Sequence, residues 1–147
     1  MTGRTNGCHV PNVFTIGYEG RDVDELVRLL RDHGIRVLVD VRLNAISRKR
    51  GLSKSALAQA LADAGITYVH ERGLGNPKDN RADYRLGKTA AHRRYARHLQ
   101  AHGADAFARL TDLVMATPTA LLCVEREPTS CHRTAIATQL DLAVVSL

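Results

Sequence analysis

Asp22-Val-Asp-Glu-Leu-Val-Arg-Leu-Leu-Arg-Asp-His-Gly-Ile-Arg-Val-Leu-Val-Asp-Val-Arg42 holds a helix, its stop and a buried strand in one run. Asp22 and Glu25 form a capping box, in which the Asp22 carboxylate accepts from a first-turn amide and Glu25 reaches back. Val23, Leu26, Val27, Leu29 and Leu30 then fall on one helical face. Gly34 follows His33 and ends the helix, because glycine takes the positive φ of a helix stop; Ile35 packs back on the helix. Val37-Leu-Val-Asp-Val41 is apolar except for Asp40, the pattern of a strand covered on both faces.

The same unit recurs downstream. Ser53 is the cap, Leu57, Leu61 and Ala64 form the face, Gly65 is the stop and Ile66 follows it. Thr67-Tyr-Val-His70 supplies the next strand, and Gly73-Leu-Gly-Asn-Pro77 a polar loop. Upstream, Val13-Phe-Thr-Ile16 is a short buried strand closed by the turn Gly17-Tyr-Glu-Gly20, and residues 1–11 read as a loose tail. From Gly87 to Met115 the spacing is helical, as two helices interrupted near Gly103. Ala120-Leu-Leu-Cys-Val124 is a strand, Thr129 or Ser130 caps a helix from about Cys131 to Gln139, and Leu142-Ala-Val-Val145 closes as a strand.

Strands alternating with helices predict parallel strands joined by right-handed crossovers, hence a three-layer α/β/α sandwich with a mostly parallel sheet of about five strands. At 147 residues and 44% hydrophobic, the chain has material for one closed core, so residues 12–147 are expected as a single α/β domain after the tail. Strand order does not follow from the pattern. Three cysteines, Cys8, Cys123 and Cys131, are an odd number and argue for a reducing cytosol rather than a disulfide framework. With no apolar leader and no run of about eighteen apolar residues, a cytoplasmic chain without a membrane partner is expected.

The formal charge of +6 favours polyanionic partners. Arg42, Arg48, Lys49, Arg50 and Lys54 make one basic stretch; Arg81, Arg85, Lys88, Arg93, Arg94 and Arg97 make another. Solvated faces and nucleic-acid contact are both open readings of them.

Open parallel sheets bind ligands beyond the carboxyl ends of their strands. Those ends carry Gly17 to Arg21, Arg42 to Arg50, His70 to Asn76 and Cys123 to Arg133. Cys131 falls at the expected start of a helix, where unpaired amides lower a thiol's pKa, with His132 and Arg133 beside it. It is a candidate nucleophile or redox centre; an unreactive structural cysteine is the alternative. Glu125 lies two positions after Cys123, so strand alternation puts both on one face, where the carboxylate serves as general base or pairs with Arg133 or Arg42. Asp40 is either a paired structural anion or a buried acid of raised pKa.

Position 137 is Ala, so the cysteine-phosphatase loop, with Arg six residues after Cys, is absent. Cys123 and Cys131 are eight apart, so a Cys-x-x-Cys redox pair is absent too. A zinc reading would use Cys123, Cys131, His132 and His70, but their spacing is not that of a small zinc site. The Gly17 to Gly20 turn matches neither the dinucleotide fingerprint nor the lysine phosphate loop, and no cofactor is expected. Arg42, Ser47, Arg48 and Asn76 could complete a phosphate or carboxylate site.

Thr15-Ile-Gly-Tyr-Glu-Gly-Arg21, Leu38-Val-Asp-Val-Arg42, Ser47-Arg48, Leu74-Gly-Asn-Pro77, Cys123-x-Glu125 and Cys131-His-Arg133 together resemble the domain-of-unknown-function 488 family, from about residue 13 onward. The resemblance implies a compact α/β domain. Carried over position by position, it implies a site of Tyr18, Glu19, Asp40, Arg42, Ser47, Arg48, Asn76, Cys123, Glu125, Cys131, His132 and Arg133. It brings no established reaction. Two positions depart from the family pattern: Leu52, where an aromatic is common, and Ser146, where a His commonly closes the last strand.

The expected function is therefore an enzyme acting on a phosphate-containing substrate, a nucleotide or nucleic acid. Cys131 and Cys123 are its catalytic thiols, Glu125 and His132 handle protons, and Tyr18, Glu19, Asp40, Arg42, Ser47, Arg48, Asn76 and Arg133 bind substrate. A non-catalytic nucleic-acid-binding or adaptor module is the alternative, and a zinc-binding protein the third.

Overall fold

A computed structural model describes residues 12–47, 49–125 and 132–147. The expectations placed on the tail 1–11 with Cys8, on Arg48, on the Thr129 and Ser130 caps and on Cys131 lie outside the described residues.

Five strands, β1 (Asn12–Gly17), β2 (Val37–Asp40), β3 (Thr67–His70), β4 (Thr119–Cys123) and β5 (Ala143–Ser146), form one sheet in the order β3-β2-β4-β1-β5. Every pairing is parallel. Among the described residues six helices connect them: α1 (Val23–Asp32), α2 (Lys54–Asp63), α3 (Lys78–Arg85), α4 (Thr89–His102), α5 (Ala104–Ala116) and α6 (Arg133–Leu140), with a 3₁₀ turn at Arg72–Leu74. The three-layer sandwich follows from two separate cores. Leu26 and Leu30 of α1 and Leu57 and Leu61 of α2 pack with Leu38, Ala120 and Leu122 on one face of the sheet. Tyr95 and Leu99 of α4, Leu110 and Val114 of α5 and Ile136 of α6 pack with Val37, Val39 and Leu121 on the other. Alternate residues of β2 and β4 thus serve opposite layers, which is why both strands read as unbroken apolar runs.

Local signals behave as physics dictates. Asp22 accepts from the Glu25 amide at 2.8 Å and caps α1. Gly34 and Gly65 both take positive φ, with Ile35 N–H donating to Leu30 O and Ile66 N–H to Leu61 O, the six-to-one bond of a helix stop. Gly87 makes a third such stop, with Lys88 N–H on Asp83 O. It ends α3, a helix the sequence pattern does not predict. Its sequence is Lys-Asp-Asn-Arg-Ala-Asp-Tyr-Arg, and its buried face is Asn80 and Tyr84 rather than an apolar stripe. Ser53 occupies the N-cap of α2 as expected, but makes no cap bond. Its hydroxyl instead accepts from Ser47 N–H at 2.9 Å and donates to Ser47 O at 3.0 Å, tying off the loop after β2.

The strand order determines where a cleft opens. Gly17, Asp40 and His70 end their strands level with Cys123 or Leu122 of β4 or, for His70, with Asp40. The chain leaves β1 and β2 for helices on one face and leaves the intervening β4 for α6 on the other. The loops around the end of β4 therefore diverge, and the space between them is the crevice where open α/β sheets bind ligands.

Candidate active site

Cys123 is the last residue of β4, and its neighbours come from both diverging loops. It is 4% exposed, yet it lines a cavity of about 140 Å³. Arg42, Leu43, Asn44 and Ile46 come from the loop after β2, Val124 and Glu125 from beyond β4, and Asn76, Arg81 and Arg85 from the segment after β3; His132 completes the lining. The cavity thus collects the carboxyl ends of three adjacent strands.

His132 precedes α6 and is buried. Its Nε2 lies 2.8 Å from the Val41 carbonyl oxygen. A carbonyl only accepts, so Nε2 carries the proton, and in the neutral ring Nδ1 holds a lone pair. That nitrogen is 3.8 Å from the Cys123 sulfur. Glu125 Oε1 also stands 3.9 Å from the sulfur, the proximity expected from their alternation. The thiol proton therefore has two acceptors within reach. Burial works against a charged His132, but Cys123, the Val41 carbonyl and Glu125 outweigh it and push the imidazole pKa above its ordinary value. Tyr95 packs edge-on against His132 with ring centroids 5.3 Å apart, and its own hydroxyl donates to Leu74 O at 2.7 Å. The histidine ring is thereby held from one nitrogen and from its side.

Asp40 and Arg42 form a buried ion pair beneath the loop. Arg42 Nε donates to Oδ1 at 2.8 Å and Nη2 to Oδ2 at 2.6 Å, while Tyr68 Oη donates to Oδ2 at 2.5 Å. Asp40 is thus the paired anion of the two readings open for it. Burial opposes the Arg42 charge, but Asp40 prevails and its pKa lies above the ordinary arginine value. Arg42 Nη1 also donates to Leu52 O, and its guanidinium lies 5.4 Å from the centroid of the Tyr18 ring. Leu52, one of the two departures, is a core residue. Ser146, the other, sits 3.4 Å from Thr15 Oγ1 at the sheet edge.

The remaining expected residues divide. Asn76 lines the cavity, and so does Glu125, whose carboxylate lies 3.5 Å from Arg85. Arg133 is wholly buried and its Nη1 donates to the Glu125 carbonyl, bracing the exit of β4 against α6. Tyr18 packs in the core under Arg42, and Glu19 is exposed, its amide bonded to Val124 O. Ser47 is spent on the loop: its hydroxyl accepts from Lys49 N–H at 3.0 Å. His70 donates from or accepts at Nε2 against Arg42 O, and a carbonyl partner makes it the donor. Among the described residues no group of three or more His, Cys, Asp and Glu is arranged to hold a metal ion.

Arg81, Arg85, Tyr95 and the Val41 carbonyl belong to this site although sequence spacing did not select them. The two arginines were visible as part of the second basic stretch, but α3, which carries them to the cavity, was not.

Fold and site together define a parallel three-layer α/β protein with a buried cysteine and histidine pair where its strand connections diverge. The family described as Domain of unknown function DUF488 matches residues 22–140, and the chain belongs to it. No curated protein and no solved structure gives a significant match. No helix among the described residues is long and apolar enough to cross a membrane.

Proposed function

We propose that this chain is an enzyme acting on a phosphate-containing substrate, a nucleotide or nucleic acid, with Cys123 as its nucleophile. The observation that carries the reading is the Cys123 sulfur within 3.8 Å of His132 Nδ1 and 3.9 Å of Glu125 Oε1, in the wall of a cavity that also presents Arg81 and Arg85. In this reading His132 takes the thiol proton, Glu125 serves as the second proton acceptor, and the arginines hold the anion. Arg42 and Asp40 support the loop that forms one wall. Exposed Arg93 and Arg97 on α4 add to the positive charge available to a larger polyanion.

The test uses the full chain with Cys8→Ser and Cys131→Ser, so that Cys123 alone reports. Ultraviolet absorbance of the thiolate is followed against pH, with and without a nucleoside monophosphate. The expected result is a thiolate already formed near neutral pH, and a shift toward the free-thiol value of about 8.5 when His132→Gln is added. Slower methylthiolation of Cys123 in the presence of the nucleotide completes the expectation. A titration near the free-thiol value in the parent, with no nucleotide protection, overturns the proposal.

A further inference from the structure

Asn76 is 3% exposed and lines the cavity, directly before α3. The direction in which its amide points is fixed by its neighbours. Arg94 Nε, which can only donate, lies 2.9 Å from Asn80 Oδ1. Asn80 Nδ2 lies 3.0 Å from the Ala91 carbonyl, which can only accept. Asn80 therefore cannot be turned over without setting donor against donor and acceptor against acceptor. The second hydrogen of Asn80 Nδ2 goes to Asn76 Oδ1, also at 3.0 Å. Asn76 is thereby left with its oxygen occupied and its Nδ2 without an acceptor among the described residues.

This donor opens to the cavity rather than being sealed in the protein, and a chain of three side chains, Arg94, Asn80 and Asn76, holds it in the cavity wall. Arg81 is anchored beside it by Nε to the Asn76 carbonyl at 3.1 Å, which directs the rest of its guanidinium onward, and Arg85 follows one turn later in α3. The cavity volume of about 140 Å³ is well below the roughly 300 to 1,000 Å³ of pockets that enclose whole small ligands. One functional group fits, and the rest of its molecule stays outside, against the aliphatic rim of Leu43, Ile46 and Val124. An internal phosphodiester, flanked by chain on both sides, does not enter a space of that size end-first; a terminal phosphoryl group does.

We infer that the cavity is a subsite for a single terminal phosphoryl group, in which Asn76 Nδ2, Arg81 and Arg85 hold its oxygens, while Asn80 and Arg94 are positioning residues that keep the Asn76 donor outward. This rests on the reading of the site as one for phosphate-containing substrates. The preferred ligand class is a phosphomonoester, such as a nucleotide or a 5′-phosphorylated end, rather than the interior of a strand.

The experiment is calorimetric titration of the full chain carrying Cys123→Ser, which removes the thiol chemistry and leaves binding alone. The probes are inorganic phosphate, sulfate, acetate, and an oligonucleotide with either a 5′-phosphate or a 5′-hydroxyl. Phosphate and sulfate are expected to bind, acetate to bind more weakly, and the 5′-phosphorylated strand to bind about tenfold or more tightly than its hydroxyl counterpart. Asn76→Asp, which puts a negative oxygen where the donor was, is expected to weaken sulfate by about tenfold or more. Arg94→Met is expected to weaken it too, and Arg94→Lys, which keeps a donor, to restore it. In the Cys123→Ser protein itself, the Asn76 side-chain amide resonances are expected to move as sulfate saturates. Unmoved Asn76 resonances, equal binding of the two oligonucleotides, or acetate binding as tightly as sulfate overturns the inference. Because the thiol is absent throughout, an unreactive Cys123 would end the catalytic reading and leave this one standing.

Discussion

Replacing Asp40 by Asn removes one charge from a buried ion pair. Asp40 is wholly buried and Arg42 is 4% exposed, so little water reaches the guanidinium when its partner goes. The carboxylate accepts from Arg42 Nε, Arg42 Nη2, the Arg42 backbone amide at 3.1 Å and Tyr68 Oη. An amide keeps one of these acceptor positions and turns the other into a donor facing donors. Two unit charges about 4 Å apart interact by about 4 kcal/mol at an effective dielectric of about 20. Breaking a buried pair from one side costs about 3–5 kcal/mol, because the surviving charge is left uncompensated. Urea unfolding followed by circular dichroism should show that loss with an unchanged slope. Tyr68→Phe, which removes a single hydrogen bond to the carboxylate, should cost about 1.5–3 kcal/mol. Adding Arg42→Met to Asp40→Asn should recover part of the loss, since neither charge then remains. An Asp40→Asn cost below about 1 kcal/mol, or strict additivity with Arg42→Met, would refute the assignment of this pair as the support of the loop.

Three further outcomes are expected. The His132 pKa is raised in the folded state, so its contribution to stability is complete below the unfolded value of about 6.5 and is lost as pH rises through the folded value; the stability gap between the parent and His132→Gln should therefore narrow with increasing pH, and a gap that widens would contradict the assigned direction. A Cβ on Gly75 would lie 2.5 Å from Leu43 Cα and 2.7 Å from Leu43 N, whereas one on Gly34 meets nothing within 4 Å and suffers only from φ of +69°. Gly75→Ala should thus cost about 1–3 kcal/mol or more and weaken sulfate binding by moving the Leu43 and Asn76 walls, against about 1–2 kcal/mol for Gly34→Ala with binding retained. Burial first and the neighbouring His102 second hold the His98 pKa below its ordinary value, so in NMR titration His102→Gln should raise it partway, and no movement would show that burial acts alone.

What could be read from the sequence, and what could not, has a physical pattern. The stop after α1, the repeat of it after α2, and the continuous apolar runs of β2 and β4 are local: capping, glycine conformation and burial on both faces act over a few residues. The third stop, at Gly87, was hidden because Lys88 stands where Ile35 and Ile66 stand in the others, and because α3 buries Asn80 instead of a leucine. An amphipathic period cannot reveal a helix whose inner face is a hydrogen-bonding amide. Cys123 and Glu125 were legible as one constellation because they lie two positions apart where the chain leaves β4.

How His132 is held beside Cys123 was not legible, because it depends on strand order. His132 meets Val41 across ninety-one positions of sequence, and that contact exists because β2 and β4 are neighbours while their outgoing chains go to opposite faces of the sheet. The Val41 carbonyl is itself a consequence of this divergence: β2 ends at Asp40, so the carbonyl one residue later is free of the ladder and can fix the histidine tautomer. The residue that presents the thiol and the residue that fixes the imidazole thus belong to adjacent strand ends, and the histidine between them to the segment that crosses over. Exchange of β2 and β3 in the sheet would keep every local element, separate β2 from β4 and take Val41 out of reach of His132. The chemistry of this site is therefore a property of topology before it is a property of any motif, and Glu125, Asn76 and the arginines of α3 gain their meaning only once that order has brought three loops around one sulfur.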